Sequence, residues 1–300
     1  LGGMAVLFVA LKPFEERKGD PNLLAFAALS RLNAEYAKLY EAMNYSLLMG
    51  GKRIRPILTK AVLESLGGDA DKYQDMICAI ELIHTYSLIH DDLPAMDNDD
   101  YRRGNLTNHK VFGDGMAVLA GDGLLTHAFS QLCTNPNATA EQKLACVTSL
   151  SLAAGPAGMV GGQAFDLESE GRHIPLKELQ VLHRGKTGAL FLAAIEIGLI
   201  LGHADEATKK AYLTYGDLLG LLFQITDDIL DVTGTVEALG KMPGSDEKAD
   251  KSTYVSELGL EGAKAKAAET AEAAKAALTA VPGDTTFLRE LADYLVTRSN

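Results

Sequence analysis

The sequence predicts an all-α fold. Apolar residues recur at three- and four-residue spacing in segment after segment, the breaks fall at Gly/Pro clusters, and two aspartate clusters far apart in the chain each emerge from an apolar helical run. Acid at the end of a core helix raises the energy of the fold unless a cation meets it.

The chain has 300 residues and is 47% hydrophobic, enough to bury a large core. No linker-like stretch divides its middle, so a single domain over residues 1–300 is expected. A net charge of −12 argues against binding nucleic acid or an anionic membrane, so an anionic substrate must meet locally concentrated Lys and Arg. Cys78, Cys133 and Cys146 lie scattered in apolar segments without a CxxC pair and read as core thiols of a reducing compartment. Leu1–Gly3 ahead of Met4 read as an expression remnant, and the short apolar run that Lys12 and Pro13 end has no basic region before it, unlike a signal peptide. The run Gly188–Gly202 is short for a bilayer span and carries Glu196 at its centre, so no membrane anchor is expected.

Taken in order, Asn22 to about Met49 has unbroken helical spacing and predicts an amphipathic helix ending at Gly50-Gly51. The following GGKRIRP joins two residues free to take positive φ to Pro56 in the first turn of the next helix, and crowds Lys52, Arg53 and Arg55 into the junction. Cations beside a helix N-terminus make a place where an anion lowers the energy. Helices are expected over 56–66 and 72–92, parted at Gly67-Gly68-Asp69. On the second, His84, Ser87, Leu88 and Asp91 fall in one stripe. Pro94 then stops or bends the helix, which lets Asp97 return to the Asp91 face.

The stretch SLIHDDLPAMDNDDYRRGNLTN sets Asp91, Asp92, Asp97, Asp99 and Asp100 within ten residues, with Arg102 and Arg103 directly after. Mg²⁺ favours one or two carboxylates, several waters and substrate phosphates, and arginine forks suit the remaining phosphate oxygens. That mixture suggests a metal-diphosphate site. Helices follow at about 115–133 and 139–154, then the Gly-rich GPAGMVGGQAFDLESEG, whose glycines are costly in a helix unless another element approaches closely. Gln163 and Asp166 in it are neighbours on one face and are expected to help hold metal-bound water or substrate, while Lys186 and Thr187 open a long apolar helix.

In GDLLGLLFQITDDILDVTG, Asp227 and Asp231 share a helix face, Asp228 is adjacent and Gln224 lies one turn earlier. Like charges four apart destabilise a helix unless a cation sits between them. Residues 232–251 lose the periodicity and read as a mobile loop over the site carrying Lys241 and Lys251. Residues 261–278 read as a solvated surface helix, and a last short helix ends in Arg298.

Two acidic helix ends opposed by cations suggest two diphosphates, one gripped through metal and the other by cations alone. The favoured chemistry is departure of pyrophosphate from an allylic carbon, because metal and lysine stabilise the leaving charge and an apolar lining tolerates a carbocation. No nucleophilic Ser or Cys is needed, and no G-x-x-x-x-G-K-[ST] loop is present, which disfavours the usual nucleotide hydrolases.

GGKRIRP, HTYSLIHDDLPAMDNDDYRRG, GMVGGQAFDLESEG, HRGKTGALF, FQITDDILDVTG and KSTY, in order from about residue 50 to 254, resemble the motifs of the trans-isoprenyl diphosphate synthases of bacterial type. The resemblance implies an isoprenoid-synthase fold, a large helical bundle around a central cavity, and a cytoplasmic homodimer. It implies two to three Mg²⁺ per site, held by Asp91, Asp92 and Asp97 and by Asp227 and Asp231, with Asp228 and Lys186 also catalytic. Isopentenyl diphosphate would meet Gly51, Lys52, Arg55, His84 and Arg103, and the allylic diphosphate Arg102, Lys186, Thr187, Gln224, Lys241 and Lys251. The implied reaction ionises dimethylallyl or geranyl diphosphate, adds the alkene of isopentenyl diphosphate and loses a proton. Tyr86, about 7 Å down the helix from Asp91, and Ser87 would limit the product to farnesyl diphosphate. A geranylgeranyl diphosphate synthase would share every motif and differ in cavity depth. A non-catalytic binding subunit should have lost matched aspartates or arginines, and this chain keeps them.

Overall fold

The computed structural model describes residues 34–234 and 252–298. The beginning of the first expected helix, and Lys241 and Lys251 with the 235–251 part of the expected loop, lie outside the described residues.

A 3-10 turn at Ala34–Tyr36 leads into α1 (Ala37–Leu48), followed by α2 (Ile54–Ser65) and α3 (Gln74–Asp91). A small hairpin, β1 (Tyr101–Arg102) and β2 (Asn105–Leu106), precedes α4 (Asn108–Phe112), α5 (Asp114–Thr134), α6 (Ala140–Ala154), α7 (Met159–Glu168) and α8 (Leu176–His183). A single π-helical turn, Arg184–Gly188, runs directly into α9 (Ala189–Leu201), and α10 (Glu206–Thr233), α11 (Tyr254–Ala277) and α12 (Thr286–Thr297) complete the bundle.

Two helices form the centre because their sequences leave almost no polar face. On α3 nearly every residue from Gln74 to Ile83 is buried, and on α9 Leu190, Phe191, Ala193 to Ile195 and Ile197 to Leu199 are buried. The first packs on α5; the second packs on α2 and α6. Gly198 permits that approach, since a Cβ there would lie 2.8 Å from the Thr59 carbonyl and 2.9 Å from Val62 Cβ. The long α10 is tied to its neighbours by two buried tyrosines. Tyr215 donates to the Leu288 carbonyl at 2.6 Å, and Tyr212 shares a 2.7 Å hydrogen bond with Ser65 on α2.

Several expectations need correction. The Ala-rich segment 261–278 is not simply solvated: Ala263, Ala267, Ala271 and Ala274 form a buried stripe as α11 packs along α10. Small side chains at helical spacing let the two backbones approach. Cys78 and Cys146 are core thiols, whereas Cys133 is exposed, because the last turn of α5 turns Leu132 inward and the next residue out. Residues 140–168 have the length and hydropathy of a membrane-spanning helix, yet they form two helices, with a break between Ala154 and Met159.

Candidate active site

The first acidic cluster forms where α3 ends. The chain turns through Pro94, and the Asp97 N–H donates to the Asp91 carbonyl at 2.9 Å, so Asp97 does return to the helix end. Burial pushes the Asp91 carboxyl up to about 6; Asp97 and Asp92 add to the effect, and Lys186 and Arg102 oppose it. Asp92 is buried and engaged by Arg102, whose Nε reaches both carboxylate oxygens at 2.8 and 2.9 Å while Nη2 meets Oδ1 at 2.5 Å. The structure therefore separates Asp92 from Asp91 and Asp97: its ligand oxygens already hold a guanidinium.

The hairpin aims the two arginines in different directions. Tyr101 pairs with Leu106 and Arg102 with Asn105, leaving a two-residue tip in which Arg103 (φ 51°) and Gly104 (φ 78°) both have positive φ, as a tight hairpin turn with the twist of its strands requires. Arg102 reaches down to Asp92. Arg103 donates to the Gly50 carbonyl and lies across Gly51, where a Cβ would overlap its guanidinium. Gly51 has φ 123°, so the pair GG supplies both the turn and the seat for Arg103.

Of the three cations in GGKRIRP, Arg53 has a different task. It adopts φ 51° ahead of α2, is buried, and bonds to Glu81 Oε1 at 2.7 Å and to the Leu47 carbonyl at 2.5 Å, locking the α1–α2 junction onto α3. Arg55 has a different environment. The Arg55 guanidinium stacks over Phe191 at 5.1 Å, its Nε is buried without a partner among the described residues, and burial lowers its pKa to about 10. Burial and the fields of Arg55, Arg103, Arg102 and Arg53 hold His84 well below its ordinary 6.5, so its imidazole is neutral. Ser87 donates to the His84 carbonyl at 2.9 Å. Cations crowded around a neutral histidine, with Glu81 already taken by Arg53, form an anion-seeking cluster.

The second acidic cluster and the π turn complete the arrangement. A Cβ on Gly162 would overlap the backbone of Gly185 and Lys186, which explains the glycines of α7: the backbone that carries Lys186 crosses there. Lys186 Nζ meets Asp166 Oδ2 at 2.5 Å, and Gln163 Oε1 is buried without a partner among the described residues. His183, one turn earlier, is held at about 4 by burial and lies in the fields of Asp166, Lys186 and Asp227. Lys186 on the π turn also acts on Asp91, while His183 at the end of α8 feels Asp227, so this junction lies in the fields of both acidic ends.

On α10, Gln224 is half-buried, as is Thr187 on the π turn. The aspartates of the triplet are not equivalent. Asp227 has 54% of its side chain exposed, whereas Asp228 and Asp231 are buried. Asp228 Oδ2 accepts the Tyr254 N–H at 2.6 Å, and Asp227 Oδ1 accepts from Arg298 Nη2 at 3.1 Å. Sequence reasoning missed the roles of Glu81, Tyr254 and Arg298.

The donor set suits a hard cation. Every acid in the two clusters offers carboxylate oxygen, and Asp91, its pKa raised by burial and further by Asp97 and Asp92, is a carboxylate whose ionised form a cation would stabilise. Among the described residues no three Asp, Glu, His or Cys side chains converge as a protein cage. Mg²⁺ needs none, since it binds through one or two carboxylates and completes its shell with water and phosphate.

Residues 36–284 match the family model for polyprenyl synthetase, and the chain belongs to that family. Within it, the chain is similar to the farnesyl diphosphate synthase of Micrococcus luteus, 48% identical over 278 residues (93% of this chain and 95% of that one). It is 52% identical over 235 residues to the farnesyl diphosphate synthase of Geobacillus stearothermophilus (77% of this chain, 79% of that one). Among solved structures it resembles an FPP/GFPP synthase from Zymomonas mobilis, with a TM-score of 0.84, 36% identity and coverage of 97% of this chain and 100% of that one. The expected isoprenoid-synthase fold is thus the observed one.

Proposed function

We propose that this chain makes farnesyl diphosphate by Mg²⁺-dependent head-to-tail (1′-4) condensation of isopentenyl diphosphate with dimethylallyl diphosphate and then with geranyl diphosphate, releasing pyrophosphate. The carrying observation is the pairing of two unlike anion sites: Arg55 and Arg103 crowded around a neutral His84, and two acidic helix ends, with Lys186 acting on Asp91 of the first and the preceding His183 in the field of Asp227 of the second. The first accepts a diphosphate directly. The second accepts one through metal, with Asp91, Asp97 and Asp227 as the residues that would hold it.

Bound Mg²⁺ would supply Lewis-acid pull on the departing pyrophosphate oxygens. Arg102 and Lys186 add fixed positive charge where the leaving group's negative charge develops, and the buried surroundings strengthen that effect. Neutral His84 can donate a hydrogen bond to the isopentenyl diphosphate without adding repulsion to the surrounding guanidiniums. Arg55 and Arg103 orient that substrate so that its alkene attacks the allylic carbon. The proton lost afterwards goes to the released pyrophosphate.

The same reading includes one domain, a cytoplasmic location and a homodimer. Buried cysteines outside any disulfide, Cys78 and Cys146, fit a reducing compartment. Leu119 on α5 and Leu144 and Leu152 on α6 are 54%, 68% and 62% exposed, an apolar set that fits burial against a second copy. The test of function is the product spectrum with Mg²⁺, dimethylallyl diphosphate and excess isopentenyl diphosphate. A dominant fifteen-carbon product supports the proposal, a dominant twenty-carbon product changes the specificity, and no metal-dependent product overturns it.

A further inference from the structure

Arg298 closes α12 with a side chain that is 0% exposed, yet it pairs with Asp227, whose side chain is 54% exposed. We propose that Arg298 is a positioning residue for the condensation: it holds the Asp227 carboxylate from the protein side and orients it for a divalent cation. This rests on the reading of Asp227 as a metal-holding acid.

The geometry favours this over a simple helix anchor. Nη2 alone reaches three groups on successive turns of α10: the Phe223 carbonyl at 3.2 Å, Thr226 Oγ1 at 3.1 Å and Asp227 Oδ1 at 3.1 Å. The guanidinium also stacks over the Phe223 ring at 4.3 Å, which fixes its plane. Its Nε and Nη1 are buried without partners among the described residues. A buried guanidinium with two of its three nitrogens unpartnered among the described residues costs energy, so packing alone would be better served by an apolar side chain. What the charge contributes is a permanent counter-ion beside Asp227, on a helix that also carries Asp228 and Asp231 within one turn. Lysine could supply charge but not the planar fork that both stacks on Phe223 and meets Asp227.

The test reads metal binding without turnover. Free Mn²⁺ is measured by electron paramagnetic resonance in the presence of inorganic pyrophosphate, for the wild type, Arg298→Gln, Arg298→Lys and Asp227→Ala. In Arg298→Gln, loss of a charge-assisted hydrogen bond should weaken Mn²⁺ binding about tenfold. The metal concentration for half-maximal turnover should rise in parallel, with the KM for isopentenyl diphosphate unchanged. Arg298→Lys should fall between that variant and the wild type. Wild-type Mn²⁺ affinity in Arg298→Gln, alongside loss in Asp227→Ala, overturns the positioning role and leaves the metal reading standing. Wild-type affinity in Asp227→Ala overturns the metal reading and the proposal with it. If Arg298→Gln does not fold by circular dichroism, Arg298→Lys decides: weakened binding supports the fork's role, and wild-type binding overturns it.

Discussion

The backbone N–H of Tyr254 donates to Asp228 Oδ2 at 2.6 Å, so the first turn of α11 is tied to the second aspartate cluster. Thr253 and Ser256 close a reciprocal capping box around the same helix start. Asp228 therefore acts as a buried anionic cap, a role distinct from that of exposed Asp227. Asp228→Ala should destabilise the metal-free protein by about 2 kcal/mol, the worth of a hydrogen bond to a charged group. Asp228→Asn should restore part of the loss. Thermal melts of the three proteins without metal check this, and equal melting temperatures would remove the cap from the account.

Asp91 should show the opposite balance. Its folded pKa of about 6 lies above the ordinary 3.8, so the folded state holds the proton more tightly than the unfolded chain. Stability contributed by this group is full below the unfolded value and is lost as pH rises from about 4 to about 6. Above that window the ionised carboxylate costs about 3 kcal/mol. Asp91→Asn should thus raise the melting temperature of the metal-free protein at pH 8, with little gain at pH 4, while reducing turnover severely. A variant less stable at pH 8, or one with near-normal turnover, would contradict the role assigned to Asp91.

Gly51→Ala tests the seat of Arg103. The new methyl would meet a backbone at φ 123° and overlap the guanidinium. Since that guanidinium is the far end of a flexible side chain, Arg103 should swing away while the fold persists. The expected outcome is a rise of about tenfold in the KM for isopentenyl diphosphate, in the range for one lost charge-assisted contact, with a smaller change for dimethylallyl diphosphate. Steady-state kinetics with each substrate varied separately distinguish the two. An equal rise for both would assign Gly51 to general packing.

Much of this site was legible because its acids sit at fixed spacing on helices with little other polar surface. Asp91 could be placed at a helix end, and Asp227, Asp228 and Asp231 on one helix, by counting residues. Distinctions within the clusters depended on contacts distant in sequence. Arg53 looks like Lys52 and Arg55 until Glu81 is seen to claim it, and the one available signal was an acid inside an otherwise apolar helix. Arg298 has its partner 71 residues away, so nothing local marks it. The two-residue strands of the hairpin are too short to show a period. The alanine stripe of α11 did have a readable spacing, but alanine suits an exposed helix as well as a close crossing.

The proposed fifteen-carbon product rests on Tyr86 as a fixed wall. Its ring is buried on α3 and meets His90 edge-on, with centroids 5.6 Å apart and planes at 80°. His90 Nε2 in turn lies 3.1 Å from the Val118 carbonyl on α5, and Gly121 leaves room for that imidazole, since a Cβ there would overlap it. Tyr86 is thus braced through His90 by a neighbouring helix, as the proposed stop for a growing prenyl tail requires. Removing the ring in Tyr86→Ala should free space for a further isoprene unit and shift the dominant product from fifteen to twenty carbons. Tyr86→Phe keeps the ring and should retain the fifteen-carbon product, because the stop is steric. Chromatography of the dephosphorylated products reads both variants. An unchanged fifteen-carbon product from Tyr86→Ala would place the wall at another residue.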